Sequence, residues 1–133
     1  EIITRVHRFR KMFGGGMRQA GILAAAALYA LDHHVDRLAE DHASAKRLAG
    51  ALAELPHISA HPEQVETNLV FFDVGESWGT ADALCAGLRE RNVWMLPEGA
   101  RRVRAVTHLD VGREGIERTI VSLKETLNSR RPA

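Results

Sequence analysis

Cysteine occurs once in the chain, at Cys85, so no disulfide can close within it. A lone thiol fits a reducing compartment. Long apolar runs are also missing. The richest, 22–31, falls well short of the roughly 18 residues that a membrane-spanning helix needs. It reads as a buried helix instead. The N-terminus is charged and lacks the hydrophobic segment of a secretory signal. The expectation is a cytoplasmic protein without a membrane partner.

An excess of one charge sign is absent too. The formal net charge is +1, so bulk charge argues neither for nucleic acid nor for an acidic partner, and no nucleic-acid partner is expected. Lysine is confined to Lys11, Lys46 and Lys124, all on amphipathic helix faces, and none stands where a Schiff-base lysine is expected. Neither a nucleophile beside a base nor a pair of carboxylates in an apolar setting occurs, so no complete catalytic set is present. His33, His34 and His42 lie near Asp32, Asp36 and Asp41, but adjacent residues do not share a helix face and no HxxxH or HExxH spacing occurs. They read as a solvated helix face, and no metal site is expected.

What is present begins abruptly. The chain opens on Glu1, and Ile2, Ile3, Val6, Phe9 and Phe13 already carry a helical stripe. A start inside or close to a helix is expected of a piece of a longer protein. That helix is predicted over 2–12 and ends at Gly14-Gly15-Gly16. A second runs from about Met17 to His33 and is apolar all round and rich in alanine from Ile22 to Leu31. A helix of that kind is a buried one, and a domain this small cannot readily enclose it without a larger parent or an oligomer.

A third helix is predicted over about 35–55 and is stopped by Pro56. A polar connection, 57–66, leads to the clearest strand, 69–74, apolar on both faces and hence central. Thr80 is placed to cap a helix over about 81–91. Short strands follow at 93–96 and 103–107. A last helix spans about 113–128, with Glu114 and Glu117 near its start where they suit the dipole. Arg130-Arg131-Pro132 reads as a frayed tail. The order implies an α+β layer: a small three-stranded antiparallel or mixed sheet covered by helices and entered through a long helical lead.

Two places draw attention as candidate sites. Gly14-Gly15-Gly16 followed by Arg18 is either a plain inter-helix turn or an anion site, in which backbone N–H groups at a helix start face a phosphate beside a guanidinium. Its spacing matches neither the phosphate loop of nucleotide hydrolases nor the dinucleotide fingerprint. Arg104 sits in the apolar strand Val103-Arg104-Ala105-Val106. It requires an anion: a carboxylate ligand held bidentately, or a structural acid such as Glu98 or Asp110.

The run Arg10-Lys11-Met12-Phe13-Gly14-Gly15-Gly16-Met17-Arg18-Gln19-Ala20-Gly21-Ile22-Leu23 resembles the C-terminal half of the low-specificity L-threonine aldolases. Leu38-Ala39-Glu40-Asp41-His42, Thr67-Asn68-Leu69-Val70-Phe71 and Val103-Arg104-Ala105-Val106-Thr107-His108-Leu109-Asp110-Val111 agree with it in the same order. The resemblance implies the small domain of a fold type I pyridoxal-phosphate enzyme that cleaves threonine or allo-threonine to glycine and acetaldehyde. It implies that residues 1–34 are interdomain helices packing on a missing large domain, and that 35–133 form the small C-terminal domain. By the same resemblance, Arg104 grips the substrate α-carboxylate, while Arg18 and Lys11 reach the cofactor phosphate. The Schiff-base lysine then belongs to a separate N-terminal part. The complete enzyme is expected to be a homo-oligomer, typically a tetramer, and the isolated chain inactive. The alternative is a non-catalytic α+β interaction or oligomerisation module.

Overall fold

The computed structural model describes residues 1–129; the predicted frayed tail lies outside them. The chain divides into two compact units, the first Glu1–Arg37 and the second from Leu38 onward.

The first unit holds two helices and no buried residue. Helix α1 spans Ile2–Met12, as its apolar spacing predicts, and Phe13 stacks on Phe9 with ring centroids 6.4 Å apart. Helix α2 spans Gly21–His33. It begins four residues later than the predicted Met17, because Gln19 takes a left-handed φ of 50° that no helix accommodates. The first unit alone does not enclose α2, whose burial is expected only with a larger parent or an oligomer. Ile22, Leu23, Leu28 and Leu31 are all exposed, since the first unit offers no second layer to cover them. At its C-terminus the Tyr29 and His33 rings stack at 4.1 Å, and His33 Nδ1 donates to the Tyr29 carbonyl at 2.9 Å.

The second unit is an α+β layer. Helix α3 spans Leu38–Ala53 and is followed by strand β1, Ile58–Ala60. Strand β2, Leu69–Val74, precedes helix α4, Ala81–Arg89. Strands β3, Leu96–Pro97, and β4, Arg102–Val106, lead to helix α5, Arg113–Ser129. The sheet order is β1-β2-β4-β3, every pairing antiparallel. Four strands replace the three predicted, and β3 keeps only Leu96 of the strand predicted over 93–96, residues 93–95 lying outside any strand. The additional one, β1, lies inside the stretch read as a polar connection; three residues are too few to display an alternating pattern.

Strand β2 is central, as predicted, but only one of its faces is buried. Val70, Phe72 and Val74 point into the core with Val103 and Ala105 of β4. Leu48 and Leu52 of α3, Leu84 and Leu88 of α4, and Ile120, Leu123 and Leu127 of α5 complete that core. Each large side chain so buried contributes about 1.5–3 kcal/mol. The opposite sheet face carries Leu69, Phe71, Arg104 and Val106, and no described helix of the second unit covers it. Thr80 Oγ1 accepts from the Ala83 N–H at 3.2 Å, the predicted cap of α4. A Cβ placed on Gly87 would meet Thr126 Cγ2 at 2.7 Å, so glycine is what lets α4 approach α5. Trp78 is buried and its Nε1 donates to the Leu127 carbonyl at 3.1 Å. No described helix is long and apolar enough to cross a membrane.

Candidate functional site

The glycine run lies at the end of α1, not at the start of α2. Gly14 adopts φ +80°, its N–H donates to the Lys11 carbonyl at 3.2 Å, and the Gly15 N–H donates to the Arg10 carbonyl at 2.7 Å. These two bonds form a Schellman closure, which satisfies helix-end carbonyls and favours glycine in the left-handed position. Two of the N–H groups expected to face an anion are therefore occupied. A Cβ on Gly15 would lie 2.6 Å from Arg10 Cγ, so side chains fold tightly over the turn. Lys11 lies beside the run: its Nζ comes within 3.1 Å of where a Gly16 Cβ would stand. Arg18 is exposed in the bend before α2. Lys11 and Arg18 belong to the first unit and Arg104 to the second.

Strand register sets the surroundings of Arg104. It pairs with Phe71 on β2 and with Leu96 on β3, both more than two-fifths exposed on the open sheet face. Its Nη1 lies 2.9 Å from Glu98 Oε1, one of the two structural partners that the sequence offered. That contact leaves the guanidinium incompletely satisfied, because the Nε is buried and has no hydrogen-bond partner. The neighbouring Arg102 differs. Its Nε and Nη2 donate to the two Asp73 carboxylate oxygens at 3.1 and 2.9 Å, and these hydrogen bonds, with the nearby negative charge, hold the guanidinium pKa up.

The strand carrying Arg104 is fixed by a node whose long-range bonds spacing along the chain does not show. Thr107 is 1% exposed; its N–H donates to the Asn68 carbonyl at 3.0 Å, and its hydroxyl donates to the Asp41 carbonyl at 2.8 Å. Asn68 Nδ2 returns a bond to the Thr107 carbonyl at 2.9 Å. Three of the segments that carried the family resemblance thus meet at one buried residue. Their convergence was the available signal, though spacing along the chain could not reveal it.

A cleft of about 710 Å³ opens within the second unit, lined among others by Trp94, Thr107, His108, Glu114, Arg118 and Val121. Arg104 does not line it. Ala105, Val106 and Thr107 do, so the cleft adjoins the C-terminal end of β4, beyond Arg104. His108 Nδ1 accepts from the Asp110 N–H at 3.3 Å within the turn leading to α5. Lys46 and Lys124 are exposed, as Lys11 is. Among the described residues, no group of three or more histidine, cysteine, aspartate or glutamate side chains is placed to hold a metal ion. Burial pushes the Cys85 thiol pKa up, the opposite of what an activated nucleophile needs.

Residues 1–75 match the family model described as beta-eliminating lyase. A low-specificity L-threonine aldolase of Escherichia coli K12 is 48% identical over 114 residues, covering 86% of this chain and 32% of that protein. Low-specificity L-threonine aldolase 1 of Arabidopsis thaliana is 34% identical over 126 residues, covering 94% and 35%. The chain spans about a third of the length of these relatives. A solved structure of a C-DES mutant, with glycine covalently linked to its pyridoxal-phosphate cofactor, superposes with a TM-score of 0.63. It is 23% identical and covers 80% of this chain and 28% of its own, a likeness of fold.

Proposed function

The chain belongs to the beta-eliminating lyase family, and on that premise we propose that it is the C-terminal part of a pyridoxal-phosphate-dependent threonine aldolase. The complete enzyme would cleave L-threonine or L-allo-threonine to glycine and acetaldehyde. The observation that carries this reading is the 48% identity to the Escherichia coli aldolase across most of the chain. Pyridoxal phosphate, when bound, supplies an electron sink for the charge that develops as a Cα–Cβ bond breaks.

The residues present fit part of that site. The unpartnered Nε of Arg104 marks a guanidinium that Glu98 satisfies only in part, and a substrate α-carboxylate is the anion proposed to complete it. A planar fork anchored on a strand fixes the carboxylate plane better than an ammonium would, and so orients the bond to be broken. Lys11 and Arg18 would lend positive charge to the cofactor phosphate, with Lys11 already gathered over the glycine turn. The closure of that turn leaves fewer backbone donors for the phosphate than a helix start would offer. None of the three lysines is buried in a site that would hold the cofactor covalently. That lysine would come from an N-terminal part, on which residues 1–34 would pack. A cytoplasmic homotetramer is the proposed complete assembly.

The isolated chain is therefore expected to be inactive. Incubated with pyridoxal phosphate and L-threonine, it should release no acetaldehyde in a coupled dehydrogenase assay, whereas the complete protein should. Release by the isolated chain, or none by the complete protein, overturns the reading. The exposed apolar helix α2 favours one alternative, a non-catalytic oligomerisation module. Sedimentation distinguishes it: the module self-associates as the isolated chain, and its complete form has no aldolase activity.

A further inference from the structure

We infer that Glu98 is a resident counter-ion, seated on Arg104 where a ligand carboxylate belongs and giving way when one arrives. The inference rests on the reading of Arg104 as a carboxylate-binding residue. The hairpin between β3 and β4 holds the Glu98 backbone firmly: its N–H donates to the Arg102 carbonyl at 2.8 Å, and Gly99 turns the chain at φ +147°. The side chain is held far less firmly. Its carboxylate approaches Arg104 Nη1 at 2.9 Å, and the pair is 38% and 35% exposed. No hydrogen bond in proper alignment joins them, whereas Asp73 and Arg102 on the same sheet face share two. A guanidinium in this half-buried setting cannot stay unpaired without cost, so an acid of the chain must serve when no ligand is present. A loosely aligned partner meets that need and remains displaceable, since an incoming carboxylate offers two aligned bonds to the fork.

Charge on this face sharpens the consequence. Asp73 balances Arg102, and Glu98 balances Arg104, so a ligand carboxylate meets a neutral group of four side chains and a like charge already in its seat. Removing that like charge should tighten carboxylate binding about fivefold.

The test uses the 133-residue chain with acetate as the probe, read from the side-chain Nε–H resonance of Arg104 by NMR, against chloride at matched ionic strength. Acetate is expected to move this signal in the wild-type chain, and Glu98→Gln to reach its midpoint at about fivefold lower concentration. Equal midpoints, a higher midpoint in the variant, or an Arg104 signal that ignores acetate in both proteins overturns the inference. Arg102 resonances unchanged from wild type report that the variant's sheet is intact. Should Glu98→Gln fail to fold, Glu98→Ala, which removes the same charge, carries the same expectation. The acetaldehyde assay on the complete protein reports separately on the aldolase reading. A complete protein that releases none, beside a chain whose Arg104 binds acetate as expected, sinks the reading and leaves the seat in place.

Discussion

The two units of this chain contain helices of comparable length, yet only one unit has an interior. In the first, α1 and α2 bury no residue, although α2 is the most apolar helix of the chain. In the second, α3 and α4 place apolar stripes on the sheet, α5 packs its own against those two helices, and Phe72, Leu52, Leu84, Leu88 and Leu123 are almost fully enclosed. The difference teaches that apolar content does not make a core. Alanine-rich sequence favours the helical backbone on its own account, whereas burial requires a second layer of matching shape.

The comparison breaks most readily at its largest effect. Phe72→Ala should destabilise the second unit by about 3–5 kcal/mol in urea melts, because it empties a site with no room to relax. Leu28→Ala in α2 should change the same transition by no more than about 0.5 kcal/mol. A large loss from Leu28→Ala would mean that the first unit is packed after all. Two glycines sharpen the contrast at intermediate size. Gly87→Ala drives a methyl into Thr126 and should cost about 1–3 kcal/mol despite alanine's better helix propensity, with Thr126→Ser restoring part of it. Gly14→Ala has open space around its Cβ and strains only the left-handed turn, at about 1 kcal/mol. Its effect should appear as fraying of α1 by NMR, with the melting temperature of the second unit unchanged.

The smallest effect lies between α3 and α5. Arg47 donates to both Glu117 oxygens at 2.9 and 3.2 Å, and these hydrogen bonds hold the Glu117 carboxyl below its ordinary range. A folded-state pKa below the unfolded value means that this contribution is present above about pH 4.3 and is lost as pH falls through the folded value. Melting temperature should therefore decline on acidification below that point, and Glu117→Gln should slightly flatten the decline. The pair is solvent-exposed, so 1 M salt should erase most of the difference.

Sequence reading reached the elements whose signals are local. The Thr80 cap, the limits of α1, the central place of β2 and the α+β class all follow from spacing and propensity, and all stand in the structure. What it missed depends on distant partners. Strand β1 exists because Ile58 and Ala60 find Val74 and Phe72, and nothing within three residues announces that. The glycine run between two helical patterns could end one helix or begin the next. The Gly15 bond to Arg10 decides for the first, and Gln19 then delays α2. At the candidate site, the need of Arg104 for an anion was legible from its apolar strand. The node at Thr107 was not, because Asp41, Asn68 and Thr107 lie far apart along the chain.

The uniform surface of α2 has one last consequence. An amphipathic helix carries its own instructions for rotation, since one side prefers protein and the other water. From Ile22 to Leu31 this helix has no such preference, and turning it about its axis exchanges one greasy side for another. A flat neighbour would therefore leave half of it wet in every orientation. Covering it whole would take a sleeve, whose lining would then dictate its angular setting, notch by notch, where Tyr29 and the alanines differ in bulk.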